Sequence, residues 1–238
     1  MITNTEIITN LLLLIICYLY IVTVIFIAVR IDHKFPKNLK RKFLHIMIGN
    51  FVYVIPFFTF TTFPANFPFF VASPFILLTL SASPASPFNL KNKISGLSDI
   101  TTGGHQFGLV FYAISYTILA FFFSAKPYVI IAGILPMAFG DAAASIVGQK
   151  IGHHQFNIFS KKSIEGTITM FTITFVSMTL SLFLFSYLCP FSTSILVLAS
   201  LGVAALATAL EALTPKGLDN LTVPLISAVA FLLLIGGI

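Results

Sequence analysis

The chain has 238 residues, 58% of them hydrophobic and 8% charged, with a net charge of +6 and a mean hydropathy of +1.02. This composition excludes an ordinary soluble globular domain and fits a polytopic protein whose solvent is the bilayer. The basic excess reads as membrane topology and attraction to anionic headgroups, with no nucleic-acid partner expected, because of where the charges fall.

Residues 7–29 form an unbroken apolar run, long enough to span since about 20 residues at 1.5 Å rise cross the roughly 30 Å hydrocarbon core. A dense basic stretch follows it (Arg30, Lys34, Lys37, Lys40, Arg41, Lys42) and none precedes it, the reverse of a cleaved signal peptide. The run is therefore expected to be a true first span with its N-terminus outside. Further apolar runs at 43–60, 63–82, 105–123, 127–148, 164–188, 194–212 and 221–238 bring the expectation to about eight helices in an all-α fold, a single membrane-embedded catalytic domain over 1–238. Pro56, Pro64, Pro68 and Pro74 make the second and third spans candidates for kinks or re-entrance.

Threading eight spans from an outside N-terminus puts loops 30–42, 83–104, 149–163 and 213–220 on the cytoplasmic side, and with them twelve of the thirteen basic residues; Lys126 lies opposite. The acidic residues divide in the same way. Asp32, Asp99, Asp141, Glu165, Glu211 and Asp219 fall at or within a turn of that face, and Glu6 lies outside. Positive-inside bias does not demand this, since Asp and Glu contribute little to orientation. Both signs gathered at one face imply a polar site there. Segment 81–98 reads as a cytoplasmic connector. Cys17 and Cys189 match no metal or redox spacing and read as small hydrophobes, and with no Trp among the aromatics any interfacial belt must come from Tyr and Phe.

Within 139–152, FGDAAASIVGQKIG, the small residues Gly140, Ala144 and Gly148 recur every four positions and allow another helix to approach closely. Asp141 lies beside that face and should point into a packed bundle, where a carboxylate needs a partner cation. In KKSIEGT, Lys162 and Glu165 are three apart at the start of the sixth span and are expected on one side of its first turn. Lys161, Lys162 and a helix N-terminus together suit phosphates, and Glu165 is their counter-ion or a metal ligand. The segment is not a Walker loop, since Lys161 and Phe156 stand where that motif needs glycines. EALTPKGLDNLTVP adds Glu211, Lys216, Asp219 and Asn220; Asp219 suits both an N-cap and an oxygen ligand of Mg²⁺. Nearer the N-terminus, RKFLHIMIG puts Arg41, His45 and Gly49 on one helical face with Lys42 as an interfacial anchor, and GGHQFGLVFY places His105 at a helix end.

Segments 41–49, 104–112, 139–152, 161–167 and 217–225 together resemble the CTP-dependent lipid-alcohol kinases: dolichol kinase, phytol kinase and the CTP-using diacylglycerol kinase. A related superfamily, the phosphatidate cytidylyltransferases, shares a Gly-Asp segment followed by a Lys-Ser or Lys-Thr and a Glu-Gly pair. The resemblance implies transfer of the terminal phosphate of CTP to an isoprenoid or other lipid alcohol at the cytoplasmic face of a multi-pass membrane protein. Asp141, Lys162 and Glu165 would then be catalytic, with Asp141, Asp219 and Glu165 holding Mg²⁺. Lys150, Lys161, Lys162, Gly166, Lys216, Asn220, Arg41 and Lys42 would meet nucleotide and phosphate. His45, His105 and Glu211 would stand on the substrate side, and either Asp141 or His45 would take the hydroxyl proton. The expected partners are the bilayer, the lipid alcohol, CTP and, as an assembly state, a second copy of the chain. The alternatives are a CDP-lipid synthase using the same CTP site and, in another class, a transporter relaying ions through carboxylates.

Overall fold

The computed structural model describes residues 3–31, 37–83, 97, 98, 100, 107–159, 161–189, 191, 193–215 and 217–236, and they fall into two units, Met1–Pro127 and Tyr128–Ile238.

The first unit opens with α1, Asn4–Arg30, started by a capping box in which the Glu6 amide donates to Thr3 Oγ1 at 3.2 Å and the Thr3 amide donates to Glu6 Oε2 at 2.9 Å. Asn10, Cys17, Ile21, Val24 and Ala28 form its buried stripe, and Leu12, Ile16, Leu19, Val22 and Phe26 lie on the exposed side, as a helix between protein and lipid requires. Asn10 is tolerated in that stripe because its amide is used fully. Nδ2 donates to Glu6 O and Thr59 Oγ1, and Oδ1 accepts from the Thr59 and Phe60 amides.

The apolar run at 43–60 does not become one helix. Helix α2, Lys37–Gly49, gives way to two short 3₁₀ turns, Asn50–Tyr53 and Ile55–Phe57, the second carrying Pro56 in its first turn. The run at 63–82 likewise divides into α3, Phe67–Ala72, and α4, Pro74–Ala82, where Pro74 lacks the amide that would continue the ladder. Both pack against α5, Gly108–Phe123. Asn66 joins them. Its Oδ1 caps α3 by accepting the Phe69 amide at 3.0 Å and also takes the Ser124 hydroxyl at 3.0 Å, while Nδ2 donates to Ala120 O at 3.0 Å.

The second unit is built round one continuous helix, Pro127–Ile151, made of α6 (Pro127–Leu135), a π segment (Pro136–Asp141) and α7 (Ala142–Ile151). Of its most apolar stretch 78% is buried, against 33% and 39% for α8 (Ile164–Leu188) and α9 (Leu196–Leu213), so it is the centre and they are the periphery. The π segment touches α8, α9 and α10 (Asp219–Leu234). Between α7 and α8 the chain makes a hairpin of β1 (Gln155–Asn157) and β2 (Lys161–Ser163), paired antiparallel with Phe156 opposite Lys162. This hairpin is an addition to the all-α expectation.

The small-residue face works as its spacing predicts. A Cβ on Gly140 would fall on the Thr174 hydroxyl, and on Gly166 it would lie 3.0 Å from Ala144 O, so α7 and α8 are held backbone to backbone. Four helices among the described residues are long and apolar enough to cross a membrane: Asn4–Arg30, Pro127–Ile151, Ile164–Leu188 and Leu196–Leu213. Phe67–Ala82, Gly108–Phe123 and Asp219–Leu234 are shorter apolar helices. The chain is thus a multi-pass membrane protein by length and composition, with shorter elements where eight full spans were expected.

Candidate functional site

Pro136 has no amide hydrogen, so the ladder of the central helix is interrupted there, and the helix widens into π geometry that ends at Asp141. Asp141 is 4% exposed. Its charge and that of Asp219 are felt by Glu211, which α9 supplies at 6% exposure, and the Lys162 ammonium reaches the same carboxylate. Three helices and the hairpin thus bring Asp141, Lys162, Glu211 and Asp219 into one electrostatic neighbourhood.

Lys162 is the link between the hairpin and α9. Its Nζ donates to Glu211 Oε1 and, at 2.8 Å, to Glu211 O, a carbonyl in the last turn of the helix. The side chains are 17% and 8% exposed, so the pair is largely withdrawn from solvent. At the other side, Asp219 Oδ1 accepts from the Gly217 amide at 3.0 Å, the Asn220 amide at 2.9 Å and Asn220 Nδ2 at 3.0 Å. Gly217 sits at φ 94°, a conformation that favours glycine. Asp219 is therefore the first residue of α10 and organises the turn before it; the cap position is Leu218.

The expectation that Lys162 and Glu165 share one side of the first turn of the sixth span is corrected. Ser163 is the N-cap of α8, so Lys162 belongs to β2 and points its amine to α9, whereas Glu165 turns back to the α7–β1 turn. Glu165 Oε1 accepts the amides of His153 at 3.2 Å and His154 at 3.1 Å, and His154 Nδ1 donates to it at 2.8 Å. Glu165 Oε2 is buried with no partner among the described residues. The helix start also offers no open row of amides: Ile164 N–H donates to His154 O at 2.9 Å and Gly166 N–H to Ser163 Oγ at 3.1 Å.

Lys150 and Lys161 are exposed at the end of α7 and on the hairpin. Arg41, Lys42 and His45 belong to the first unit, where all are buried. The His45 ring stacks on Tyr112 with centroids 4.5 Å apart, and the Tyr112 hydroxyl donates to His45 O at 3.2 Å. His105 and Lys216 lie outside the described residues.

Asp141, Asp219 and Glu165 do not converge as three ligands of one ion, and no group of three or more His, Cys, Asp or Glu side chains among the described residues does so. The donor chemistry still suits Mg²⁺, which takes oxygen ligands, keeps several waters and commonly uses one or two carboxylates together with substrate phosphates. Asp141 matches that description, whereas Asp219 Oδ1 and Glu165 Oε1 each already take three donors.

Two participants escaped sequence reasoning. Ser163 caps α8 and fills the space between Gly148, Gly152 and Gly166, and its place just ahead of an apolar run is the signal that would have found it. His154 as the partner of Glu165 had no local signal, being eleven residues away.

The chain is 42% identical over 132 residues, 54% of its own length and 54% of the relative's, to "Phytol kinase" from Synechocystis sp.. It is 30% identical over 200 residues, 81% of this chain and 62% of the relative, to "Probable phytol kinase 3, chloroplastic" from Glycine max. It is 33% identical over 133 residues, 54% of this chain and 42% of the relative, to "Probable phytol kinase 1, chloroplastic" from Oryza sativa subsp. japonica. The matched stretch thus spans 42–62% of the length of these relatives. No family model matches it, and no solved structure does.

Proposed function

We propose that this chain, a homologue of the phytol kinases and so related to the lipid-alcohol kinase family, transfers a phosphate to the hydroxyl of a membrane lipid alcohol, with CTP as donor and at the cytoplasmic face. The observation that carries the site is the grouping of the buried Asp141 and Glu211 with the half-buried Lys162 and Asp219, in a chain related to kinases.

Phosphoryl transfer needs positioned groups and charge stabilisation more than covalent chemistry. Asp141 and Asp219 would hold Mg²⁺, which would supply positive charge to the donor phosphates. The chain's own residues do the rest. Lys162 is fixed by Glu211 in a dry environment, so its ammonium is aimed before any nucleotide arrives. Lys150 and Lys161, exposed on the rim, attract and neutralise the phosphates. Glu165 ties the His153–His154 turn to the start of α8 and so holds the hairpin that carries Lys161 and Lys162.

The test is incubation of the protein in lipid with Mg²⁺, a panel of prenyl alcohols and diacylglycerol, and CTP labelled at either the α- or the γ-phosphate, with ATP, GTP and UTP in parallel. Label reaching the alcohol from the γ position of CTP is the expected result. Entry from the α position into a lipid phosphate, or transfer from ATP alone, would overturn the reading.

A further inference from the structure

The hairpin between α7 and α8 ends in a tip that turn chemistry does not explain. Residues 158–160 join the two paired strands, and short loops of this kind ordinarily carry Gly, Asn, Asp, Pro or Ser. Here the loop opens with Ile158 and Phe159, which are 52% and 62% exposed. The exposed strand residues before them, Gln155 and Asn157, are polar in the usual way, and Phe156 is half-buried opposite Lys162. The apolar surface of the hairpin is thus gathered at its outermost point.

That point lies close to the bilayer surface. Helix α8 has 25 residues and is about 37 Å long at 1.5 Å rise, more than the roughly 30 Å hydrocarbon core, so its first turn lies at headgroup level. Phe159 comes four residues before Ser163 and is therefore within about 13 Å of that turn. Ile151 at the end of α7, and Ile164 and Ile168 at the start of α8, are exposed as well, so apolar surface continues from the spans to the base of the hairpin. The exposed charge here has one sign. Lys150 and Lys161 are exposed, and Glu165, the only carboxylate between residues 142 and 210, turns to the His153 and His154 amides. A soluble acidic partner would answer the lysines and leave two large apolar side chains wet. A leaflet with anionic headgroups answers both.

We propose that the hairpin is a bilayer-docking element: Ile158 and Phe159 insert at the boundary between headgroups and acyl chains, and Lys161 pairs with the phosphate of an anionic lipid. The strand that carries Lys162 to Glu211 is thereby held at the membrane surface from its far end. The inference rests on the multi-pass membrane character of the chain and not on the kinase reading.

The chain contains no Trp, so Phe159→Trp gives the full protein a single fluorescent reporter, and Ile158→Trp gives a second one. Each variant is placed in nanodiscs of phosphatidylcholine, with or without about 30% phosphatidylglycerol, whose acyl chains are brominated either near the glycerol or near the bilayer centre. No nucleotide is added, so the headgroups supply the only phosphates. Emission should be blue-shifted, and the shallow bromines should quench it at least about twofold more than the deep ones. Phosphatidylglycerol should raise the shallow quenching about 1.5-fold or more, and Lys161→Ser or about 1 M salt should remove that gain while leaving the quenching seen in phosphatidylcholine. Emission like that of indole in water, or deep quenching that exceeds shallow, would overturn the proposal. So would a blue shift untouched by either bromine, which would mean that a second copy or another protein segment covers the tip. Absence of the phosphatidylglycerol gain, or its survival in Lys161→Ser, would overturn it too. Shallow quenching in a protein that transfers no phosphate would sink the kinase reading and leave this one standing; transfer with an unquenched indole would do the reverse.

Discussion

Lys162 and Glu211 show what a buried ion pair asks of each residue. Neither can be removed alone without leaving the other charge in a dry place, and Glu211 already feels the charges of Asp141 and Asp219. Lys162→Met is expected to cost about 3–5 kcal/mol of stability, and Lys162→Met with Glu211→Leu less than that, as measured by unfolding in a detergent-to-SDS titration. A double variant worse than the single would show that the pair does not act as a unit. Asp141→Asn keeps the size of the side chain and loses its charge. It should lower phosphoryl transfer by about 100-fold or more, with the unfolding midpoint near that of the parent. Glu165→Gln should mainly loosen the His153–His154 turn, raising proteolytic nicking between 151 and 160 before transfer is lost.

Two element-scale devices carry separate predictions. Gly148→Leu must push α8 away, because a Cβ there already lies 2.9 Å from Ser163 Oγ, and a loss of at least about 2 kcal/mol is expected in the same SDS titration. Asn66→Ala removes the α3 cap and the tie to the end of α5 together, with about 2–3 kcal/mol expected. These elements also mark what the sequence disclosed. The run 164–188 became α8 with the same ends, 127–148 became the core of Pro127–Ile151, and 7–29 lies inside Asn4–Arg30, because long apolar runs with caps and charges at their ends specify their own limits. The run 43–60 misled because hydropathy reports burial and not continuity, and only Asn50 and Pro56 mark the two turns that follow Gly49. The hairpin had no periodic signal, since three-residue strands are too short for alternation to register. Within the site, Asp141 was legible as a carboxylate on a small-residue helix. The pairing of Lys162 with Glu211 was not, since 49 residues and a change of helix separate them.

At the scale of the whole molecule the charge asymmetry of the chain makes the orientation testable. Single cysteines replacing Lys150 and Lys161 in a variant lacking Cys17 and Cys189 should react with an impermeant maleimide from the cytoplasmic side, and a cysteine replacing Lys126 from the opposite side. Reaction of all three from one side would overturn the threading that puts phosphate chemistry in the cytoplasm. Route and chemistry also meet in the seam between α7 and α8. Where Gly140 faces Thr174 and Gly166 faces Ala144, the two backbones leave no gap wide enough for a hydrocarbon tail. That seam is a closed wall to anything diffusing in the plane of the bilayer. On the proposed lipid-kinase reading, a lipid reaching Asp141 through this unit would pass by α9 or α10, and bulky substitutions there should slow long-chain substrates more than short ones.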